Sequence, residues 1–363
     1  MLFFFAERER KGLILLRHLN INNKRGIFFF LLIGIVMGSC SSIQQITIDL
    51  HQQNSIHFTD EILSGFVHWT NRNDKIRARE ISISLIGEIG YTTTKTLSNG
   101  RGGSTTLTEY RHSPFYSSKM IFIRPKIGDE FVVLSQGHYS WPFQFDLFDI
   151  LPPSINSPQV YPHVRYFLQV IIDKPRFQFN QKQIRFLTIY PRVALDNHYE
   201  YFQQATFATQ NRKDILLRGK INKIGFLPGE SIDFQIEIDN PKEILIKNVR
   251  FIIFQSSIID INHYRQVIFQ TNLPTIQNCK LKQIREEFFV TLPDKDQISP
   301  SFHYQRNTST PSFILNRYFI KLIVQVQGFL TNFDISLPIF IGTKPKIDDD
   351  DLPPSYESVL QNK

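Results

Sequence analysis

The chain has 363 residues, of which 42% are hydrophobic, 13% aromatic and 20% charged, and it carries a formal net charge of +8. That hydrophobic share excludes a wholly disordered chain, and the length predicts two domains of about 100–200 residues each. Its two cysteines, Cys40 and Cys279, exclude a disulfide framework and a four-cysteine zinc site.

The first 36 residues supply half of the net charge, with six basic and two acidic side chains. The rest of the chain is therefore only mildly basic, and we expect no nucleic-acid partner. The same segment contains an apolar run from Ile27 to Val36, which directly follows Lys24 and Arg25. This run is shorter than the ~20 apolar residues that a membrane-spanning helix needs. We treat residues 1–42 as a leader.

Three interpretations of this leader stay open. A basic flank, a short apolar run and small residues are typical of a secretory signal. In the second, Met37 is the true start, and Met-Gly-Ser-Cys-Ser-Ser matches the N-myristoylation pattern, with lipidation at Gly38 and a palmitoylation site at Cys40. Two lipid chains hold a membrane stably, so this interpretation predicts peripheral membrane association. In the third, the leader has no function.

Apolar and polar residues alternate through much of the chain from residue 43 onward. The alternation is clear in 80–85 and 231–239, and also in 138–147, where the apolar positions are Tyr139, Trp141, Phe143, Phe145 and Leu147. Such runs form strands that bury one face. No amphipathic helix longer than two turns is expected in 43–343. The pattern predicts an all-β protein built from antiparallel β-sandwiches.

Turn-forming residues separate the predicted strands at 71–74, 99–103, 151–154 and 228–229. A weak internal repeat at an offset of 169 residues suggests two copies of one module. It pairs Glu61 with Glu230, Leu63 with Ile232, Val67 with Ile236, Asn71 with Asn240 and Ile76 with Leu245.

A polar stretch without periodicity divides the two halves. We place the first sandwich at 43–192, a linker at 193–213 and the second sandwich at 214–343, each sandwich being of normal domain size. A tail, 344–363, follows.

No catalytic constellation appears in the sequence. It has no His-Glu-x-x-His, no Gly-x-Ser-x-Gly and no phosphate-binding loop. His51, His57 and His68 lack ligands at metal-binding spacing and are interpreted as ordinary strand or loop residues, and Cys279 as a plain free thiol. We therefore expect a non-enzyme with no cofactor and no metal.

The tail contains one short motif, Leu352-Pro-Pro-Ser-Tyr-Glu, after four consecutive aspartates. Like charges at a chain end keep such a segment solvated, so we expect a disordered tail. Consecutive prolines favour the polyproline II conformation, which loses little entropy on docking. Pro353, Pro354 and Tyr356 have the Pro-Pro-x-Tyr spacing of WW-domain ligands.

With these residues in view, the chain resembles the arrestin superfamily, and specifically the α-arrestins. Lys223–Glu230 resembles the opening turn of the arrestin C-terminal domain, and Leu337–Thr343 resembles its last strand. Gly137–Phe145, Leu151–Ser154 and Val164–Tyr166 resemble parts of the arrestin N-terminal domain.

The resemblance implies two tandem arrestin-type immunoglobulin-like antiparallel β-sandwiches and a non-catalytic adaptor. Such adaptors link membrane receptor or transporter cargo to WW-domain HECT-type ubiquitin ligases in endocytosis and protein transport. It implies that Pro353, Pro354 and Tyr356 contact the ligase, and that the protein is cytoplasmic and recruited to the plasma membrane and endosomes. The alternative is a secreted or membrane-anchored β-sandwich binding protein, which would use the leader and the glycosylation sequon at Asn307.

Overall fold

A computed structural model describes residues 46–98, 103–148, 150–195, 199–294, 297–306, 312–329 and 331–343. Nearly all regular structure in these ranges is β-strand, and the helical residues form one 3-10 turn, Tyr199–Phe202. The all-β prediction is therefore confirmed. No helix within the described ranges has the length and hydrophobicity required to cross a lipid bilayer.

Nine strands build the first sandwich: β1 Ile46–Leu50, β2 His57–Phe58, β3 Ile62–Ala78, β4 Glu80–Ser98, β5 Ser104–Ile123, β6 Val132–Asp146, β7 His163–Asp173, β8 Gln181–Leu187 and β9 Ile189–Tyr190. One sheet has the order β1-β3-β6 and the other has the order β5-β4-β7-β8, with antiparallel neighbours throughout. The short strands β2 and β9 form a parallel pair. Both sheets contribute to one hydrophobic core.

The alternation seen in the sequence determines which side chains enter this core. In β4, Ile81, Ile83 and Leu85 are fully buried. Burial of a side chain of this size contributes about 1.5–3 kcal/mol. In β6, Phe143 and Phe145 are buried.

Ten strands build the second sandwich: β10 Ala205–Gln210, β11 Leu216–Ile221, β12 Gly225–Phe226, β13 Ser231–Asp239, β14 Ile246–Ile259, β15 Asn262–Cys279, β16 Gln283–Thr291, β17 Phe302–Arg306, β18 Ser312–Val326 and β19 Phe333–Ile341. One sheet has the order β10-β11-β13-β16, and the other has the order β12-β19-β18-β14-β15, with β17 also paired to β18. A second hydrophobic core lies between these sheets. The two tandem sandwiches of the predicted fold are thus confirmed.

One predicted turn is wrong. Residues 71–74 do not separate two strands but form a bulge inside β3, where the register against β6 shifts between Asn71 and Lys75. The buried Asn71 amide donates to the carbonyls of Leu134 (3.2 Å) and Ser135 (2.9 Å). Its side chain replaces the missing ladder bonds, so the strand continues through a sequence that is typical of a turn.

Part of the range predicted as linker, 193–213, is a strand of the second sandwich. Residues 205–210 form β10, which pairs along its whole length with β11, from Ala205 opposite Ile221 to Gln210 opposite Leu216. Its polar composition follows from its place at the edge of the sheet, since an edge strand with one buried residue, Phe207, needs little apolar surface.

The internal repeat at an offset of 169 is confirmed by two turns with the same hydrogen bonds. Glu61 Oε2 accepts from the backbone N–H of Phe58 at 3.1 Å, and Glu230 Oε2 accepts from that of Leu227 at 3.0 Å. The residue before each glutamate has positive φ: 69° at Asp60 and 80° at Gly229. Both turns thus use the left-handed conformation that glycine and aspartate tolerate.

Each glutamate of the repeat also binds a basic side chain. Arg192 Nη2 lies 2.8 Å from Glu61 Oε1, and Lys223 Nζ lies 2.7 Å from Glu230 Oε2. Each cation also lies over a phenylalanine ring, with the Arg192 guanidinium carbon 4.9 Å from the centroid of Phe58. The two sandwiches therefore share one local motif, a turn whose glutamate accepts a backbone hydrogen bond and binds a basic side chain.

Candidate functional site

The residues that the sequence analysis assigned to binding or modification lie outside the described residues. Pro353, Pro354 and Tyr356 belong to residues 344–363, and Gly38 and Cys40 belong to residues 1–45. Their roles stay predictions. The structure does describe the point from which the tail continues, at 343, just after β19.

Thr343 is held against the chain that joins the two sandwiches. The backbone N–H of Val193 donates to Thr343 Oγ1 at 2.7 Å, and the N–H of Thr343 donates to the carbonyl of Val193 at 2.9 Å. The Thr343 hydroxyl also donates to the carbonyl of Pro191 at 3.3 Å. The tail thus begins beside the linker, at a buried and hydrogen-bonded residue.

Arg192, the neighbour of Val193, ties the same segment to the first sandwich. Its guanidinium binds Asp60 Oδ1 at 2.7 Å and Glu61 Oε1 at 2.8 Å, and its backbone N–H donates to the hydroxyl of Thr59 at 3.2 Å. The last residue of the first sandwich, Arg192, therefore binds that sandwich, and the first linker residue, Val193, binds Thr343 after β19. The start of the tail is thus hydrogen-bonded to the residue that follows Arg192, the side chain that binds the first sandwich.

A cavity of about 630 Å³ lies next to this linker segment. Its basic lining residues are Arg192, His303 and Arg317, while Ile339 and Phe340 contribute apolar surface. The volume falls in the range of small-ligand sites, about 300–1,000 Å³. Because Val193 and Ala194 also line it, this cavity is a candidate binding site beside the start of the linker.

Apolar side chains also join the two sandwiches directly. Ile259, at the end of β14, and Ile314, near the start of β18, are fully buried and belong to the core cluster of the first sandwich. The rings of Phe115 and Tyr304 lie 6.0 Å apart. The two domains thus share a packed contact in addition to the linker.

A buried polar network lies on the second-sandwich side of this contact. Asn316 Oδ1 accepts from Gln255 Nε2 and from the Ser257 hydroxyl, both at 2.8 Å, and its Nδ2 donates to the Pro300 carbonyl at 2.8 Å. Burial raises the pKa of Tyr318, which neighbours this network, to about 12. A hydrogen-bonded network of this kind holds β14, β18 and the segment before β17 in one arrangement.

Open strand edges are the surfaces best suited to an extended partner. β1 is the outermost strand of its sheet in the described part of the chain, and it faces β8 of the other sheet across a small opening of about 290 Å³. Arg185 of β8 reaches across and donates to the carbonyl of Ile48 at 2.6 Å. Arg185 therefore already occupies one backbone acceptor of β1, and an acidic peptide that adds as a strand would compete with it.

The structure brings together a cluster that the sequence analysis missed. In the β5-β4-β7 sheet, Gly90 lies directly opposite His112 on one side and His163 on the other. Two residues earlier in β4, Glu88 lies opposite Arg165. Among the described residues, Glu88, His112 and His163 place three ligand-type atoms within 4.8 Å of one another.

The carboxylate of Glu88 is the centre of this cluster. Its Oε1 accepts from Arg165 Nε at 2.7 Å, also contacts Arg165 Nη2, and lies 2.9 Å from His112 Nδ1. The other nitrogen of His112, Nε2, lies 2.7 Å from the hydroxyl of Tyr161. No sequence spacing predicts this set, because strand register alone brings residues 88, 112 and 163 together.

The histidines that the sequence analysis did weigh lie elsewhere. His51 Nδ1 lies 3.0 Å from the Ser64 hydroxyl, and His68 Nε2 lies 3.5 Å from Asp49. His57 is buried, and burial lowers its pKa. Cys279 is a free, half-buried thiol, as predicted.

Two sandwiches with this strand order, joined by a hydrogen-bonded linker, define a protein with two tandem arrestin domains. The family model "Arrestin (or S-antigen), N-terminal domain" matches residues 45–196, and the model "Arrestin (or S-antigen), C-terminal domain" matches residues 211–346. A comparison with curated protein sequences found no significant match. The chain belongs to the arrestin superfamily, whose members are generally non-catalytic adaptors in trafficking.

Proposed function

We propose that this protein is an α-arrestin-type adaptor that links membrane cargo to WW-domain HECT-type ubiquitin ligases and has no catalytic activity of its own. The observation that carries the proposal is the combination of two arrestin domains with the Pro-Pro-x-Tyr motif at 353–356. The ligase would read Pro353, Pro354 and Tyr356, because a WW domain holds prolines in an aromatic groove and the tyrosine in a second pocket.

The position of Thr343, where the tail begins, is compatible with a tail that binds the ligase and sandwiches that bind the cargo. From Thr343 to Leu352 is nine residues, which span at most about 30 Å when fully extended. A ligase held on such a short tether acts at high effective concentration on cargo bound to the sandwiches. Strand edges such as β1 would hold an extended cargo tail by backbone hydrogen bonds.

Membrane recruitment would follow from cargo and from N-terminal lipidation. With Met37 as the start and removed, Gly38 and Cys40 would be the first and third residues of the mature protein and would carry two lipid chains. The protein would then reside in the cytoplasm and be recruited to the plasma membrane and endosomes. Mass spectrometry of the mature N-terminus tests this part, and an acetylated Met1 would contradict it.

The test of the ligase link uses the full chain and a purified WW-domain pair from a HECT-type ligase. Tyr356→Ala should abolish binding in a calorimetric titration, because the ring that fills the second pocket is removed. Ser355→Ala is the matched control at the variable position and should bind like the unaltered protein. Equal affinity of Tyr356→Ala and the unaltered chain would refute the ligase assignment.

The alternative, a secreted or membrane-anchored binding protein, predicts a different chemical mark. A chain that enters the secretory pathway would carry glycan at Asn307, whereas a cytoplasmic chain never meets that machinery. Treatment with a glycosidase that removes N-linked glycans should leave the mass of the cellular protein unchanged under the adaptor proposal. A mass decrease would favour the secreted alternative.

A further inference from the structure

We propose that Glu88, His112 and His163 form a binding site for a divalent transition-metal ion of the zinc class on the first sandwich. Two imidazole nitrogens and one carboxylate oxygen are a common donor set for such ions, with exchangeable water completing the coordination. The site lies in the β5-β4-β7 sheet, and its existence is independent of the ligase link.

In the described part of the chain, one nitrogen of His163 is hydrogen-bonded and the other is not. Its side chain is fully buried, and its Nδ1 lies 3.1 Å from the carbonyl of Val160, which can only accept. Nδ1 therefore carries the proton, and Nε2 has a free lone pair. Nε2 is buried and has no hydrogen-bond partner among the described residues. An unpaired buried acceptor costs about 1–3 kcal/mol, and a histidine that donates to a backbone carbonyl is typical of a metal ligand.

The Nε2 atom of His163 lies directly beside Gly90. A Cβ added to Gly90 would lie 2.2 Å from His163 Nε2, so the imidazole occupies room that any larger residue would fill. His112 lies on the other side of the same glycine. Their strands are two spacings apart, about 9.6 Å, yet the imidazole centroids are only 6.0 Å apart. Both rings thus lean over Gly90 toward each other.

His112 has a partner at each ring nitrogen, Glu88 at Nδ1 and Tyr161 at Nε2. A ligand at Nδ1 requires the proton to sit on Nε2, and the Tyr161 hydroxyl lies 2.7 Å from Nε2, where it can accept that proton's hydrogen bond. Nδ1 then faces Glu88 Oε1 at 2.9 Å with its lone pair. These two acceptors already share one cation, the Arg165 guanidinium, whose Nη2 lies 3.4 Å from His112 Nδ1 and also contacts Glu88 Oε1.

The donors need only small movements to close around an ion. Zinc lies 2.0–2.1 Å from histidine nitrogens, so tetrahedral donors are about 3.4 Å apart. One ligand-type atom from each of the three residues lies within 4.8 Å of the other two. His163 is fixed by Val160, whereas the His112 side chain is 37% exposed and can rotate inward. The required shift is of the order of 1 Å.

The Arg165 guanidinium competes with a metal ion for Glu88, and it also has other partners in the structure. Its guanidinium now binds Glu88 Oε1, but it also donates through Nη1 to the Pro158 carbonyl at 2.7 Å and lies 5.5 Å from the centroid of Phe186. An ion bound at Glu88 would release the guanidinium to these other partners. An ion would therefore have to displace the Arg165 guanidinium from both Glu88 and His112, which lowers the affinity of the site.

The test titrates chelator-treated full-length protein with zinc chloride by calorimetry, and with Co²⁺ by visible absorption. We expect one saturable ion per chain. His112→Ala and His163→Ala should each weaken binding at least ~10-fold, since removing even an outer partner of a ligand costs 10–100-fold. His138→Ala is the matched control, because this exposed histidine of β6 lies outside the cluster, and its affinity should be unchanged.

Arg165→Met should change the metal affinity in the opposite direction. Removing the competing charge while keeping the apolar stem should tighten binding, a result that a purely structural hydrogen-bonded cluster would not produce. If His163→Ala fails to fold, the exposed His112 carries the test alone. Absence of a saturable single-ion site in the unaltered protein, or equal affinity in His112→Ala, would overturn the proposal.

Discussion

Glu61 and Glu230, 169 residues apart, accept the same backbone hydrogen bond in the two sandwiches, each from the N–H three residues earlier. Each also binds one cation, Arg192 or Lys223. The equivalence shows that the two domains share one turn structure, although few other identities mark the repeat in the sequence.

We therefore predict matched costs for removing the two acceptors. Glu61→Ala and Glu230→Ala should each lower the free energy of unfolding by about 1–2 kcal/mol, because a charge-assisted hydrogen bond is lost. The double variant should show the sum, since the turns belong to different sandwiches. Urea unfolding checks this, with Asp129→Ala at an exposed loop as the control. A double variant no less stable than either single one would contradict it.

Thr343 should prove important for the linker. Thr343→Val keeps the volume but leaves the Val193 N–H without its acceptor at 2.7 Å. A buried donor left unpaired costs about 1–3 kcal/mol. Thr343→Ser retains the hydroxyl and should unfold within about 0.5 kcal/mol of the unaltered protein. Thermal unfolding distinguishes the two variants, and indistinguishable midpoints would show that the linker contact is not stabilising.

Asn316 should be among the most sensitive polar positions. Its amide bonds Gln255, Ser257 and Pro300 inside the second sandwich, where it is 1% exposed. Asn316→Leu removes both ends of the amide at once and leaves several buried groups unpaired, so the loss should exceed about 3 kcal/mol.

The control for Asn316 is a polar residue on the exposed face of the same strand. Arg317→Leu changes the neighbouring side chain, which is exposed, and should cost less than about 1 kcal/mol. Chemical denaturation of both variants measures the difference. Equal losses would mean that the network contributes little to stability.

His57 should make the protein less stable in mild acid. Burial lowers its pKa, the Arg185 charge adds to this and the Glu61 charge opposes it. The unfolded chain then binds more protons than the folded one at pH values below about 6.5, so stability is present above that pH and falls as the pH decreases.

His57→Gln should flatten this dependence, because the titrating group is removed. The measurement is the urea midpoint at pH 7.5, 6.5 and 5.5. His138→Gln, at an exposed position, should leave the slope unchanged. Parallel curves for His57→Gln and the unaltered protein would assign the acid sensitivity to other groups, such as the buried His163, whose pKa is also lowered by burial.

Local patterns in the sequence predicted much of the fold. The alternation over 231–239 corresponds to β13, Ser231–Asp239, because a Pro-Gly turn precedes it and every second side chain is apolar. The same kind of local signal was wrong at 71–74, where the Asn71 amide bonds to Leu134 and Ser135 of a distant strand and keeps β3 continuous. Turn-forming residues show only that the backbone can turn at that position. Whether it does turn depends on the hydrogen bonds that the partner strand offers.

The sequence by itself determined the all-β class, the two-module plan and the Pro-Pro-x-Tyr motif, because each depends on residues that are close along the chain. Tertiary structure decided the contact of Thr343 with Val193, the network around Asn316 and the convergence of His112 and His163 over Gly90. Each of these depends on strand register and domain contact, which are fixed by packing between segments tens of residues apart and leave no periodic trace in the sequence.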